Sequence, residues 1–280
     1  MPDPAKLLTT LSRAAAVFRA APGRSGRVVA LADAEDVLVG GDLHGHVGNF
    51  RALMEKADLP HHPRRHLVLQ EVVHGPFRYP NGGDKSHQLL DLVAALCCQF
   101  PGRVHFLPGN HELAQATGRE IQKNDADVNA LFIAGVEAAY GDHADDVYAA
   151  YLDLIAAVPL AVRTANRVFI SHSLPSERGM QAFIYEDLLR DTEPADLETH
   201  GSVYALVWGR DTRLATVTAF LQKVDCDLLI TGHIPLDCGF AAPNDRQLIL
   251  DSMGTPAGYC LFPSDRPITH DALVASAAIL

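Results

Sequence analysis

Four apolar runs in this sequence each lead into residues that could bind a metal ion or move a proton. Val37-Leu38-Val39 runs into Gly40-Gly41-Asp42-Leu43-His44-Gly45, and Phe106-Leu107-Pro108 into Gly109-Asn110-His111-Glu112. Phe169-Ile170-Ser171 precedes His172, and Leu228-Leu229-Ile230-Thr231 precedes Gly232-His233. Asp and Asn oxygens mixed with neutral imidazoles suit Mn, Fe or Zn better than an ion that prefers thiolates. Singly, each end has a plain structural use: a strand-end histidine is commonly a satisfied core residue, and Asn110 could cap a helix. Four such ends in one chain argue together for a metal site. Glycine suits them because it lets the backbone turn sharply, at positive φ if required.

For these ends to meet, the runs must be strands of an open α/β sheet, where ligands gather beyond the carboxyl ends. The hydrophobic pattern agrees. Val28–Leu31 and Val37–Val39 read as strands turned at Asp33–Asp36, followed by a helix over Asn49–Ala57. His66–Val73 is a strand, Pro76–Asp84 a loop, Lys85–Phe100 a helix and Arg103–Leu107 a strand. Residues 125–157 read as helical, Leu160–Arg163 and Val168–Ser171 as a strand pair, and Thr212–Val224 as a helix before Cys226–Thr231. Gln247–Asp251 and Gly258–Phe262 close the chain as strands. Alternation of this kind is an α/β architecture with some antiparallel pairs. Residues 1–22 read as an N-terminal helix. Residues 23–280 read as one domain with helical insertions near 125–157 and 176–224.

Composition narrows the function. At 48% hydrophobic and 20% charged residues over 280 positions, the chain can bury a substantial core and is not a disordered one. A net charge of −11 opposes general nucleic-acid or anionic-membrane binding, which needs clustered Lys and Arg. No run reaches the ~20 apolar residues of a membrane helix. Arg13 and Arg19 interrupt the apolar N-terminal stretch, which argues against a signal peptide and for the cytoplasm. The five cysteines form no CxxC, so they read as reduced core residues and not as a disulfide frame or zinc ribbon. Nothing marks an oligomeric state.

The segments Gly41-Asp42-Leu43-His44-Gly45, Gly109-Asn110-His111-Glu112, His172 and Gly232-His233 resemble, in this order, the motifs of the calcineurin-like metallophosphoesterases. Gly232-His233-Ile234-Pro235 lacks a second histidine, and Val207-Trp208-Gly209-Arg210-Asp211 is similar to a Trp-containing segment. Both features resemble the phosphoprotein-phosphatase and dinucleoside-tetraphosphatase branch. The resemblance implies mixed β-sheets packed as a sandwich flanked by helices (αββα). It implies two divalent ions (Mn, Fe or Zn) that activate a bridging hydroxide against a phosphoester. Asp42 and His44 would bind the first ion, and Asn110, His172 and His233 the second. His111 would be the general acid.

One motif departs from the family pattern. Where the family has Gly-Asp-x-x-Asp-Arg-Gly, this chain has Leu69-Gln70-Glu71-Val72-Val73-His74-Gly75-Pro76. Counting back from Gly75-Pro76 puts Gln70 at the aspartate that bridges the metals, and a one-residue shift puts Glu71 there. Charge favours Glu71, because two close dications need an anion between them. Val73 stands where an aspartate would orient the general acid, a role Glu112 or Glu71 could fill. The missing arginine leaves phosphate capture to Arg210, His74 or Arg78, with Arg210 the best suited because guanidinium grips phosphate bidentately. His46 could steady a neighbouring ligand.

Three functions fit. The first is a metal-dependent phosphomonoesterase acting on a phosphoprotein or small phosphate ester. The second is a dinucleoside polyphosphate hydrolase, and the third a degenerate relative that binds metal or phosphate without turnover.

Overall fold

A computed structural model describes residues 3–123 and 126–280. Along the chain run α1 (Pro4–Arg19), β1 (Arg24–Ser25), β2 (Val28–Leu31), β3 (Asp36–Asp42), α2 (Val47–Ala57), β4 (Arg65–Gln70) and α3 (His87–Gln99). Then come β5 (Val104–Leu107), α4 (Asn110–Thr117), β6 (Gln122–Lys123), β7 (Ala126–Asp127), α5 (Val128–Tyr140), α6 (Ala144–Ala157), β8 (Ala161–Thr164) and β9 (Val168–Ser171). After three short 3-10 turns follow α7 (Ser202–Trp208), α8 (Leu214–Lys223), β10 (Leu228–Thr231), β11 (Phe240–Asn244), β12 (Gln247–Leu250), β13 (Gly258–Pro263), α9 (His270–Ala275) and β14 (Ala277–Ile279).

The strands form two mixed sheets, ordered β1-β2-β8-β9-β10-β12-β11 and β14-β13-β3-β4-β5, beside a small β6-β7 hairpin. Side chains of a strand alternate between faces, and here both faces are apolar, so each sheet is covered twice. Val37 and Val39 of β3, Val68 of β4, Ile170 of β9 and Ile230 of β10 share one buried cluster between the sheets. The alternate residues Leu38, Leu67 and Leu69 point the other way, onto α1, α2, α3 and α6. Phe169 and Leu229 do the same toward α7 and α8. The result is a helix–sheet–sheet–helix sandwich. Strands β3, β4 and β5 run parallel, as do β9 and β10, so their carboxyl ends lie along common edges.

Two expectations change. Val28–Leu31 and Val37–Val39 do not form a hairpin: β2 belongs to the seven-stranded sheet and β3 to the five-stranded one. The expected helix over 125–157 begins outside the described residues at Asp125, is capped by the Asp127 carboxylate at α5, and breaks at a 3-10 turn, Gly141–His143. The loop over Pro76–Asp84 keeps only an isolated bridge between Arg78 and Asp84. No helix among the described residues is long and apolar enough to cross a membrane.

Buried histidines also set the acid stability. His66 on β4 and His105 on β5 stack at 5.3 Å, with His66 Nδ1 3.0 Å from His105 Nε2. Burial, helped by Arg103, brings His66 down to about 4. Burial and His66 bring His105 down to about 3. Both folded values lie below the ordinary 6.5, so the unfolded chain binds more protons through this window. Their contribution is present above pH 6.5 and is lost as pH falls toward 4 and then 3. The slope approaches ~1.4 kcal/mol per pH unit for each histidine, less for the partly exposed His66. Melting temperature should therefore drop between pH 6.5 and 4, and His105→Leu should flatten that drop. An unchanged slope in the variant would refute the assignment.

Candidate metal centre

Each strand end delivers one or more polar side chains to a single cluster. β3 ends at Asp42 with His44 two residues on, β4 is followed by Glu71, and β5 by Asn110 and His111 at the start of α4. From the other sheet, β9 is followed by His172 and β10 by His233. The Glu71 carboxylate lies at the centre. Its Oε2 is 3.0 Å from His44 Nε2, and its Oε1 is 3.7 Å from His172 Nε2 and accepts the His111 backbone N–H at 2.9 Å. His172 Nδ1 is 3.4 Å from Asp42 Oδ1, its Nε2 is 2.9 Å from His233 Nδ1, and Asn110 Oδ1 is 3.4 Å from the same Nε2. Asp42 Oδ2 accepts the His233 backbone N–H at 2.7 Å.

Local backbone helps aim these side chains at one point. His44, Glu71, His74 and His233 adopt positive φ, a conformation uncommon outside glycine and concentrated at functional sites. The strain sits on residues at or beside the cluster. Gly45, next to His44, takes the positive φ expected of a turn, and two other motif glycines serve a different end. A Cβ on Gly109 would lie 2.0 Å from Glu71 Oε1, and one on Gly232 would lie 2.3 Å from Asp42 Oδ1. Those glycines make room for carboxylates. Glu112, expected as a possible partner of His111, instead ties the loops together. Its Oε1 accepts the N–H groups of Val72 and Val73 and its Oε2 that of Gly109, all within 2.9 Å.

The donor set fits divalent cations. Asp42 Oδ1, Gln70 Oε1, His172 Nδ1 and His233 Nε2 are buried without a hydrogen-bond partner among the described residues. Buried polar atoms are normally satisfied, so these orphans, gathered at one cluster, point to a ligand. Glu71 belongs to both sets of three donor atoms that lie within 4.8 Å of one another, one with His44 and His111, the other with His172 and His233. His44 Nδ1 is 2.8 Å from the Val73 carbonyl oxygen, which accepts its N–H and leaves Nε2 as the nitrogen that could hold a cation.

Electrostatics agree. Burial opposes charge on His44, but the Glu71 carboxylate outweighs it and lifts the imidazole to about 9. Burial likewise opposes charge on His172, and Glu71 and Asp42 raise it. Burial would raise Glu71, yet His172, His44 and His111 hold it well below the usual range. Burial and His172 push His233 down to about 2, and burial pushes His111 down to about 3. The Glu71 and Asp42 carboxylates thus favour the protonated form of both imidazoles, and a cation held there would compete with those protons.

A cleft of about 370 Å³ opens over the cluster, lined by Asp42, His44, Glu71, Asn110, His111 and His233, with Trp208, Arg210 and Asp251 also on its wall. Of the three residues expected to hold phosphate, Arg210 alone lines this cleft. Arg210 is exposed, and the neighbouring Asp211 is engaged by Arg213. Arg78 pairs with the buried Asp84 carboxylate at 3.1 Å. His74 is turned inward: its Nδ1 is 2.8 Å from His111 Nδ1, its Nε2 is 2.8 Å from Gln115 Oε1, and burial holds it neutral with a value near 4. His46 caps α2 through its ring nitrogen, which accepts the Asn49 N–H at 3.0 Å. Gln70 is buried beside the cluster with its amide nitrogen on the Gly40 carbonyl at 3.2 Å. Two residues were missed from sequence. Gln115 stands one helical turn after His111, a spacing that could have marked it. Asp251 directly follows the apolar run of β12, so the strand-end pattern that marked His172 could have marked it too. All five cysteines are free, and a larger cavity of about 780 Å³, lined by Arg27, Leu113 and Ile155 among others, holds none of the clustered ligands.

Residues 36–237 match the family model described as calcineurin-like phosphoesterase, more than half of the chain. The chain belongs to this family. As a calcineurin-like phosphoesterase it is 26% identical over 232 residues to a probable serine/threonine-protein phosphatase of Encephalitozoon cuniculi, covering 76% of this chain and 46% of that protein. It is 26% identical over 193 residues to the serine/threonine-protein phosphatase rdgC of Drosophila melanogaster, covering 64% of this chain and 26% of the relative. The chain therefore spans less than half the length of these relatives. Among solved structures, a protein serine/threonine phosphatase of Saccharomyces cerevisiae superposes with a TM-score of 0.69 at 17% identity, over 93% of this chain and 82% of the other. A cold-active protein-tyrosine phosphatase of Shewanella gives 0.58 at 14% identity, over 90% and 82%. The two-sheet sandwich with its flanking helices is the fold they share.

Proposed function

We propose that this phosphoesterase hydrolyses phosphomonoesters, on a phosphoprotein or a small ester, at a centre of two divalent cations. The observation that carries the reading is the Glu71 carboxylate, common to two sets of converging donors and flanked by unsatisfied polar atoms. Asp42 and His44 would hold one cation, Asn110, His172 and His233 the other, and Glu71 would lie between them. When bound, such a pair makes a water acidic enough to attack at neutral pH and neutralises the phosphoryl oxygens. Arg210, at the cleft wall, would grip the phosphate with two parallel N–H donors. His111 holds its Nδ1 against His74, so Nε2 is the nitrogen left to give a proton to the leaving oxygen.

The size and charge of the cleft favour a single phosphate over a polyphosphate. Arg210 is the one Lys or Arg on its wall among the described residues, whereas a dinucleoside tetraphosphate would bring several charges to about 370 Å³. The similarity to serine/threonine phosphatases supports a phosphoprotein substrate. The expected result is Mn²⁺-dependent phosphate release from a phosphoseryl peptide, stopped by EDTA, at a kcat/KM above that for a dinucleoside tetraphosphate. Preference for the tetraphosphate would establish the second reading, and bound metal without turnover of either would establish the degenerate one.

A further inference from the structure

We propose that His74, backed by Gln115, is the positioning residue that orients the His111 imidazole, in place of the carboxylate this chain lacks. The inference rests on the phosphomonoesterase reading and adds a residue to it.

Among the described residues, no carboxylate does this work. Val73 has no acceptor in its side chain. Glu112 spends both oxygens on the Val72, Val73 and Gly109 backbone N–H groups. Glu71 meets the His111 backbone and the His44 ring, and makes no hydrogen bond to the His111 ring. The ring partner of His111 is His74, Nδ1 to Nδ1 at 2.8 Å.

Two Nδ1 atoms can hydrogen-bond only if one carries a hydrogen and the other offers a lone pair. Gln115 faces the other ring nitrogen: its Oε1 lies 2.8 Å from His74 Nε2 and its amide nitrogen 2.7 Å from the Tyr148 hydroxyl, which accepts from it in this orientation. With the amide so placed, His74 carries its hydrogen on Nε2 and accepts at Nδ1. His111 donates from Nδ1 and presents Nε2 to the cleft that it lines.

His74 is itself held firmly. It is 1% exposed, its backbone N–H donates to Ser86 Oγ at 2.9 Å, and its ring meets Phe132 edge-on at 5.9 Å. Unlike a carboxylate, the neutral ring aligns His111 without placing a negative charge beside it. Its contribution is orientation.

The test uses the full chain loaded with Mn²⁺ and two esters. The phosphoseryl peptide expels an alkoxide and needs the acid, whereas para-nitrophenyl phosphate expels a stabilised phenolate and needs it much less. His74→Leu should lose about 10–100-fold in kcat on the peptide, a part of the full general-acid factor, and only a few-fold on the aryl ester. Metal content should stay at two. His74→Asn, whose amide oxygen stands near the place of Nδ1, should recover most of the loss. Equal losses on both esters, or His74→Asn no better than His74→Leu, would overturn the proposal. If His74→Leu does not fold, Gln115→Leu should give the same unequal loss, and equal losses there would overturn it too. A wild type inactive on both esters would instead sink the phosphomonoesterase reading. The His74 contact would then be decided by nitrogen-edited NMR: a hydrogen-bonded His111 Nδ1–H signal present in the wild type and absent from His74→Leu supports it, and persistence of that signal in the variant refutes it.

Discussion

Glu71→Gln should leave a folded protein that binds one divalent cation where the proposed centre takes two, and its turnover should fall by more than about 10²-fold. That loss exceeds the ~10–100-fold cost of disturbing a residue that only orients a ligand, because Glu71 supplies the negative charge between the donor sets. Its two oxygens face His44 on one side and His172 on the other, at 3.0 and 3.7 Å. An amide keeps the shape and the hydrogen bond to the His111 backbone but removes the anion, so two dications brought close would repel without compensation. Gln70→Ala gives the contrast. Gln70 is fully buried and its amide nitrogen bonds the Gly40 carbonyl, so the change costs stability while both cations still bind. Elemental analysis of the two variants after Mn²⁺ loading and desalting separates them. Two cations retained by Glu71→Gln would remove it from the bridge.

His111→Ala has the other large effect, a loss of about 10²–10⁴-fold in kcat on the phosphoseryl peptide. The ring lines the cleft, its Nδ1 faces His74, and burial holds it neutral, with a value near 3. A proton reaches it when the dianionic phosphate arrives and stabilises the imidazolium. Because one donor atom of His111 also lies within 4.8 Å of those of His44 and Glu71, metal content distinguishes the two roles the ring could have. An acid that is not a ligand leaves two cations in place in His111→Ala. Loss of one with the activity would make His111 a ligand.

The strand ends were legible because their chemistry is local: an apolar run followed by glycine and a polar residue describes both the strand and the residue it delivers. The sandwich was harder to read. Val28–Leu31 and Val37–Val39 resemble a hairpin by spacing. Their inner residues Val29, Leu31, Val37 and Val39 instead share one cluster, and the turn between them carries the chain from one sheet to the other. Only the packing of two sheets, a property of the whole chain, distinguishes the cases. The same limit hid His74. Beside Gly75-Pro76 it looks like a loop residue facing substrate, but Gln115 and Phe132, 41 and 58 positions later in the sequence, turn it inward. Gly45 turns the chain as read, but Gly109 and Gly232 proved necessary for space, since the atoms they approach belong to carboxylates far along the chain. Charge alone favoured Glu71 over Gln70, and the fold brings the Glu71 carboxylate into both sets of converging donors.

The most direct measurement is anomalous diffraction from crystals of the chain soaked in Mn²⁺. Two peaks are expected, one beside Asp42 and His44 and one beside Asn110, His172 and His233, about 3.5–4 Å apart with the Glu71 carboxylate touching both. A single peak, or two peaks with Glu71 bound to neither, would contradict the account.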